Sequence, residues 1–212
     1  MKAKRLAYCL LAILLAGCVP VVSLHPLFTR ESIVFEEKLV GTWVKDPNDP
    51  EVIWKFSRLD ESAAQGPLEP WREDITKFYR LDITDQDGRK GSFAACLVKL
   101  GDRLFLDIFA DRFPSGEQDI EKMPLAYNGF FFLPVHTVIR VDAVGERLAL
   151  RITDDDQFKK LVQAAPAAVR HEIVDDRPIL TASTKELQAF VTRFAGDERL
   201  FPNDLALVRE TR

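Results

Sequence analysis

The sequence predicts a mainly β, β-rich α+β domain: an antiparallel meander of about seven or eight strands, curled into a barrel or half-barrel, with one or two C-terminal helices. Three observations predict it. Short alternating apolar and polar stretches recur between turn signals such as Asp87-Gly88, Gly101-Asp102 and Gly145-Glu146. The pair of stretches around residues 92–109 is apolar on both faces, so it needs a second layer over it. Near the end, Ser183 and Glu186 form an S-x-x-E capping box ahead of an apolar stripe at helical spacing.

Taken in order, residues 40–45 and 52–58 read as strands, the second with Val52, Trp54 and Phe56 on one face. Residues 60–74 read as a polar loop. A two-residue turn at Asp87-Gly88 sets Asp85 against Lys90, and puts Tyr79 on the face of Ala94 and Cys96. A turn at Gly101-Asp102 sets Val98 against Phe105, Cys96 against Asp107 and Ala94 against Phe109. The third hairpin sets Ile139, Val141 and Ala143 against Ile152, Leu150 and Leu148, with a wet opposite face. Asp154–Asp156 lead into a helix carrying Phe158, Leu161 and Val162, and a strand is expected near 171–180. Leu187, Phe190, Val191 and Phe194 then fall at i, i+3, i+4 and i+7, ending at Gly196. That stripe is the expected cover for the central hairpin.

The start of the chain has a different logic. Lys2, Lys4 and Arg5 precede a ten-residue apolar run, too short to span a membrane as a helix, and small residues follow. Leu15-Ala16-Gly17-Cys18 resembles a lipobox, which implies cleavage before Cys18 and acylation of its sulfur. The expected organisation is a signal peptide over 1–17, an acylated tether over 18–32, and a single periplasmic domain over 33–212. Val19 stands where enterobacterial lipoproteins retained at the inner membrane usually carry Asp. That resemblance implies the periplasmic face of the outer membrane, with the inner membrane or the cell surface as alternatives.

With Lys2, Lys4 and Arg5 removed, 26 basic residues face 33 acidic ones, a formal charge near −7. Such a body is a poor partner for nucleic acid or for anionic headgroups. Cys9 leaves with the signal and Cys18 takes lipid, so Cys96 has no partner for a disulfide, and the fold must rest on its apolar core.

Two resemblances add to this reading. Ser23-Leu24-His25-Pro26-Leu27-Phe28-Thr29, then Leu39-Val40-Gly41-Thr42-Trp43, and later Leu180-Thr181-Ala182-Ser183-Thr184 with Glu186–Phe190, resemble a family of bacterial lipoproteins with an HPLFT box and a GTW first strand. The resemblance implies location and no activity. Gly41-Thr42-Trp43 is also similar to the G-x-W opening of lipocalins and fatty-acid-binding proteins. There the glycine bends the chain and the tryptophan crosses the barrel floor beside a late arginine, a part that Arg140 or Arg151 could take here.

No nucleophile elbow, P-loop, dinucleotide loop, H-E-x-x-H or paired C-x-x-C occurs, and no catalytic residue, cofactor or metal is expected. Asp85-Gln86-Asp87-Gly88 fails as a calcium loop, because Ile83 and Ala94 occupy its first and last ligand positions. The candidate ligand-facing side chains are Tyr79, Cys96, Phe105, Asp107 and Phe109. His136, Arg140 and Arg151 form a candidate anion patch, and Gly41, Trp43, Ser183 and Glu186 are expected to be structural. Asp107, between two phenylalanines, would be costly to bury unpartnered, and its carboxylate would quiet a Cys96 thiol. The expected function is a membrane-anchored, non-catalytic lipocalin-like module for an apolar or amphiphilic small molecule. The alternative is an envelope interaction protein with a solid core and a protein partner.

Overall fold

The fold is that of a computed structural model, which describes residues 20–48, 51–110, 133 and 135–210. Residues 1–17, expected as a signal peptide, and Cys18 lie outside the described residues. The strands are β1 (Val22–Ser23), β2 (Ile33–Val34), β3 (Gly41–Val44), β4 (Ile53–Arg58), β5 (Phe78–Thr84) and β6 (Lys90–Leu100), then β7 (Arg103–Phe109), β8 (His136–Val144) and β9 (Arg147–Ile152). After helix α1 (Asp155–Ala164) come β10 (His171–Val174), β11 (Arg177–Leu180), helix α2 (Thr184–Phe194) and β12 (Asn203–Arg209).

Strands β3 to β9 pair in sequence as an antiparallel meander. β12 then pairs with both β9 and β3, and β8 with β9, which closes an eight-stranded barrel. β12 is a strand that sequence reading missed, although Leu205, Leu207 and Arg209 alternate along it. The expected single strand at 171–180 is the hairpin β10–β11, turned at Asp175 and Asp176, both at positive φ. Outside the barrel, β11 runs parallel to β1, which pairs in turn with the start of β8.

Alternation sends each strand's side chains to two cores. Trp43, Trp54, Phe56, Tyr79, Leu81, Leu97, Leu106, Ile139, Leu150 and Leu207 share the lumen, to which all eight barrel strands contribute. Phe78, Ala94, Cys96, Val98, Phe105, Phe109 and Val138 face outward and form a second core with Phe158 of α1 and Leu187, Phe190 and Val191 of α2. The doubly apolar central hairpin is therefore buried between lumen and helices, as its two faces require.

Both helices begin where their caps predict. The Asp154 carboxylate accepts the Gln157 N–H at 2.9 Å. The Glu186 carboxylate accepts from the Ser183 N–H at 2.9 Å and the Ser183 hydroxyl at 2.5 Å.

Two registers differ from expectation. In the first hairpin Thr84, not Asp85, faces Lys90. The turn contains three residues and ends on Gly88 at φ 75°, a bulged form that shifts the pairing by one. The Asp85 carboxylate holds it by accepting the Asp87 and Arg89 N–H groups. A one-residue shift reverses every side chain, so Tyr79 lies opposite Ala95 and points into the lumen, away from Cys96. In the third hairpin a bulge between Val141 and Ala143 moves Ala143 onto Ala149. The Gly101-Asp102 hairpin has the expected register throughout.

The stretch expected as a tether, 18–32, is folded over its described residues 20–32. Val21, Leu27 and Phe28 are buried in the outer core, and β1 is a sheet strand.

Candidate functional site

The floor of the barrel is built around Trp43. A 3-10 turn at Glu37–Leu39 crosses the barrel end, and its Leu39 carbonyl accepts the Trp43 indole N–H at 2.8 Å. Arg209 of β12 lies over the Trp43 ring, 4.5 Å from guanidinium to ring centroid. It donates to the carbonyls of Val40, at 2.9 Å, and Lys38. Gly41 has φ 138°, and a Cβ there would stand 2.3 Å from the Arg209 guanidinium, so only glycine admits this crossing. The tryptophan's partner is thus Arg209, not Arg140 or Arg151. This eight-stranded barrel is consistent with a lipocalin-like fold.

Tyr79 fastens the same end. Its hydroxyl accepts the Glu36 N–H at 2.7 Å and donates to the Glu36 carbonyl at 3.2 Å, while its ring stacks on Phe35. Burial pushes the phenol well above its usual range. At the opposite end, half-buried apolar side chains form a ring: Val52, Ile83, Phe93, Ile152 and Leu205, at or beside the outer ends of β4, β5, β6, β9 and β12. Trp54 lies just inside at 7 % exposure.

Cys96, Phe105, Asp107 and Phe109 do not face the lumen, contrary to the ligand-facing expectation. They belong to the outer face, beneath the N-terminal segment and α2. Asp107 is fully buried and has two partners: the Leu27 N–H at 2.7 Å and His136 Nδ1 at 2.8 Å. The Leu27 carbonyl accepts from Gln188 of α2 at 2.8 Å. Phe28 packs against Trp71, Phe78, Phe109 and His136. The HPLFT segment is therefore a clasp: Leu27 and Phe28 do the docking, while His25 stays exposed. Burial pushes the Asp107 carboxyl up, opposed by its bonds to His136 and Leu27. Burial first, and Asp107 second, raise the Cys96 thiol, which makes it a poor nucleophile.

Of the expected anion patch only Arg140 and Arg151 come together, opposite each other on β8 and β9. His136 turns to Asp107, while Arg140 and Arg151 both hold Asp142, at 2.7 Å and 3.0 Å. Arg140 also donates to the Ala195 carbonyl, and Arg151 pairs with Asp204 at 3.1 Å. Both guanidinium groups are thus engaged by the protein's own carboxylates and, for Arg140, by a carbonyl.

A cavity of about 10 Å³ between Ser23, His136, Thr153 and α2 has room for one water at most. Among the described residues, no buried side-chain nitrogen or oxygen lacks a hydrogen-bond partner. Neither the clasp nor its surroundings therefore presents an unsatisfied group to a ligand. No protein-family model, curated protein or solved structure matches the chain.

Proposed function

We propose that this is an acylated envelope lipoprotein, anchored through Cys18 at the periplasmic face of the outer membrane, whose barrel takes an apolar or amphiphilic small molecule at its mouth without catalysis. The observation that carries the reading is the asymmetry of the barrel: one end sealed by Trp43 and Arg209, the other ringed by Val52, Ile83, Phe93, Ile152 and Leu205. Trp43, Phe56 and Tyr79 already occupy the deep lumen, so a guest sits shallow, near Trp54. A brominated fatty acid should quench the fluorescence of the mature protein, and Trp54→Phe should remove most of that quenching. Unchanged fluorescence up to high-micromolar fatty acid rules out the guest. Replacing Cys18 with Ser should abolish acyl labelling and release or mislocalise the protein.

A second reading has its own support. The same large side chains that leave little depth for a guest make a solid scaffold, whose outer surface would meet an envelope protein. Failure of the quenching experiment, with crosslinking in intact cells to one defined protein, supports that reading instead.

A further inference from the structure

The fold begins almost at the acylated residue. β1 is fixed between β11, through Val22–Ile179 and Ser23–Leu180, and β8, through Val22–Thr137. Val21 is buried, with its N–H bonded to the Thr153 hydroxyl at 3.0 Å. One residue, Val19, separates Cys18 from Pro20. Two residue steps reach about 7 Å at full extension. The polar layer on each side of a bilayer is about 5–8 Å thick. A chain this short does not let the body stand away from its lipid.

The surface that Cys18 brings down has a particular character. A cleft of about 220 Å³ lies beside Pro20, lined by Val22, Val174, Pro178 and Ile179 with Asp155 and Arg177. Val174 is 49 % exposed and its neighbour Ile173 47 %, on opposite faces of β10, so both sides of the hairpin carry aliphatic surface into water. The acidic groups nearby are partly balanced. Lys159 pairs with Asp156 at 2.9 Å and with Asp176 at 3.0 Å. Asp155, Asp175 and Glu172 keep the patch on the acidic side, which disfavours anionic headgroups.

We propose that the β10–β11 hairpin and the neighbouring start of β1 form a membrane-contact surface, with Ile173 and Val174 seated among the headgroups of a zwitterionic lipid surface. The inference rests on acylation of Cys18. It also sets an orientation. β8 leaves this surface at Thr137 and reaches the Gly145-Glu146 turn eight residues later, about 26 Å along the strand. The sealed floor of the barrel faces away from the membrane and its mouth toward the side where amphiphiles are found.

The test uses the full acylated chain on vesicles of phosphatidylethanolamine and phosphatidylcholine. Cys18 is blocked by lipid and Cys96 is buried, so a nitroxide reacts selectively with Val174→Cys or, as control, Glu146→Cys. The label at 174 should show a several-fold rise in oxygen over nickel-chelate accessibility relative to the same label in a Cys9→Ser, Cys18→Ser background, and the label at 146 should not change. If the protein stays on the vesicles but both labels remain equally open to nickel, the surface is overturned while the anchor stands. If the protein does not sediment with the vesicles and Cys18 carries no acyl group, the anchor fails and the surface proposal falls with it.

Discussion

Arg209 stacks on Trp43 and closes the barrel by laying its last strand, β12, against its first, β3. The guanidinium holds two carbonyls of the segment that precedes Trp43, so it ties ring, strand and floor together. Replacing Arg209 with Leu should lower stability by about 2–4 kcal/mol, from a sheltered cation–π contact and charged hydrogen bonds. Gly41→Ala should also destabilise, by forcing its Cβ onto the guanidinium and by its positive φ. Part of that penalty disappears once Arg209 is gone, so denaturant midpoints should show the double mutant less damaged than the sum of the singles. Strict additivity would mean that the two residues do not share the crossing.

Asp107 is the counterpart on the outer face. Asp107→Ala leaves the Leu27 N–H and His136 without their buried acceptor, at a cost of about 2–4 kcal/mol. Asp107→Asn keeps an acceptor and should lose less. Limited proteolysis of the alanine variant should show early cuts within residues 20–32. An equally protected N-terminal segment would show that Leu27 is held by packing alone.

The cover of α2 over the central hairpin gives a third expectation. Phe190, at 2 % exposure, packs in one core with Cys96 and Phe105, and Phe190→Ala should cost about 3–5 kcal/mol. Ser183→Ala should cost about 1 kcal/mol through the lost cap. Wild-type denaturant midpoints for both would remove the helix from the core.

A pH dependence follows from the same cap. Arg170 first, with the Ser183 hydroxyl and N–H, lowers the Glu186 carboxyl from 4.5 to about 2. Its folded value is thus below its unfolded one, so the contribution is present above about pH 4.5 and lost as pH falls toward 2. The melting temperature of Glu186→Gln should fall less steeply than wild type across that window. Parallel slopes would mean that the Arg170–Glu186–Ser183 contact is not formed in solution.

Much of this protein was legible along the chain because it depends on local periodicity and short-range chemistry. The meander, the helices with their caps, the Gly101-Asp102 register and the opposition of Cys96 to Asp107 all follow from alternation and turn residues within a few positions. The hairpin at Asp87-Gly88 shows the limit. Two-residue and three-residue turns share the same Asp-Gly signal, and the choice between them decided which face Tyr79 occupies.

The sequence by itself determined that strands would alternate and that the central pair needed covering on both sides, while the resemblance of Gly41-Thr42-Trp43 to the G-x-W opening implied an arginine beside Trp43. Only the tertiary structure decided which arginine. Arg209 reaches Trp43 because β12 inserts between β9 and β3, a pairing between the two ends of the domain that no local pattern encodes. The same holds for Asp107. Its burial was visible from flanking phenylalanines, but its partners, the Leu27 amide and His136, come from distant segments that meet only when the barrel closes and the N-terminal segment folds down on it. Local propensity sets each strand's faces, while closure sets which faces meet.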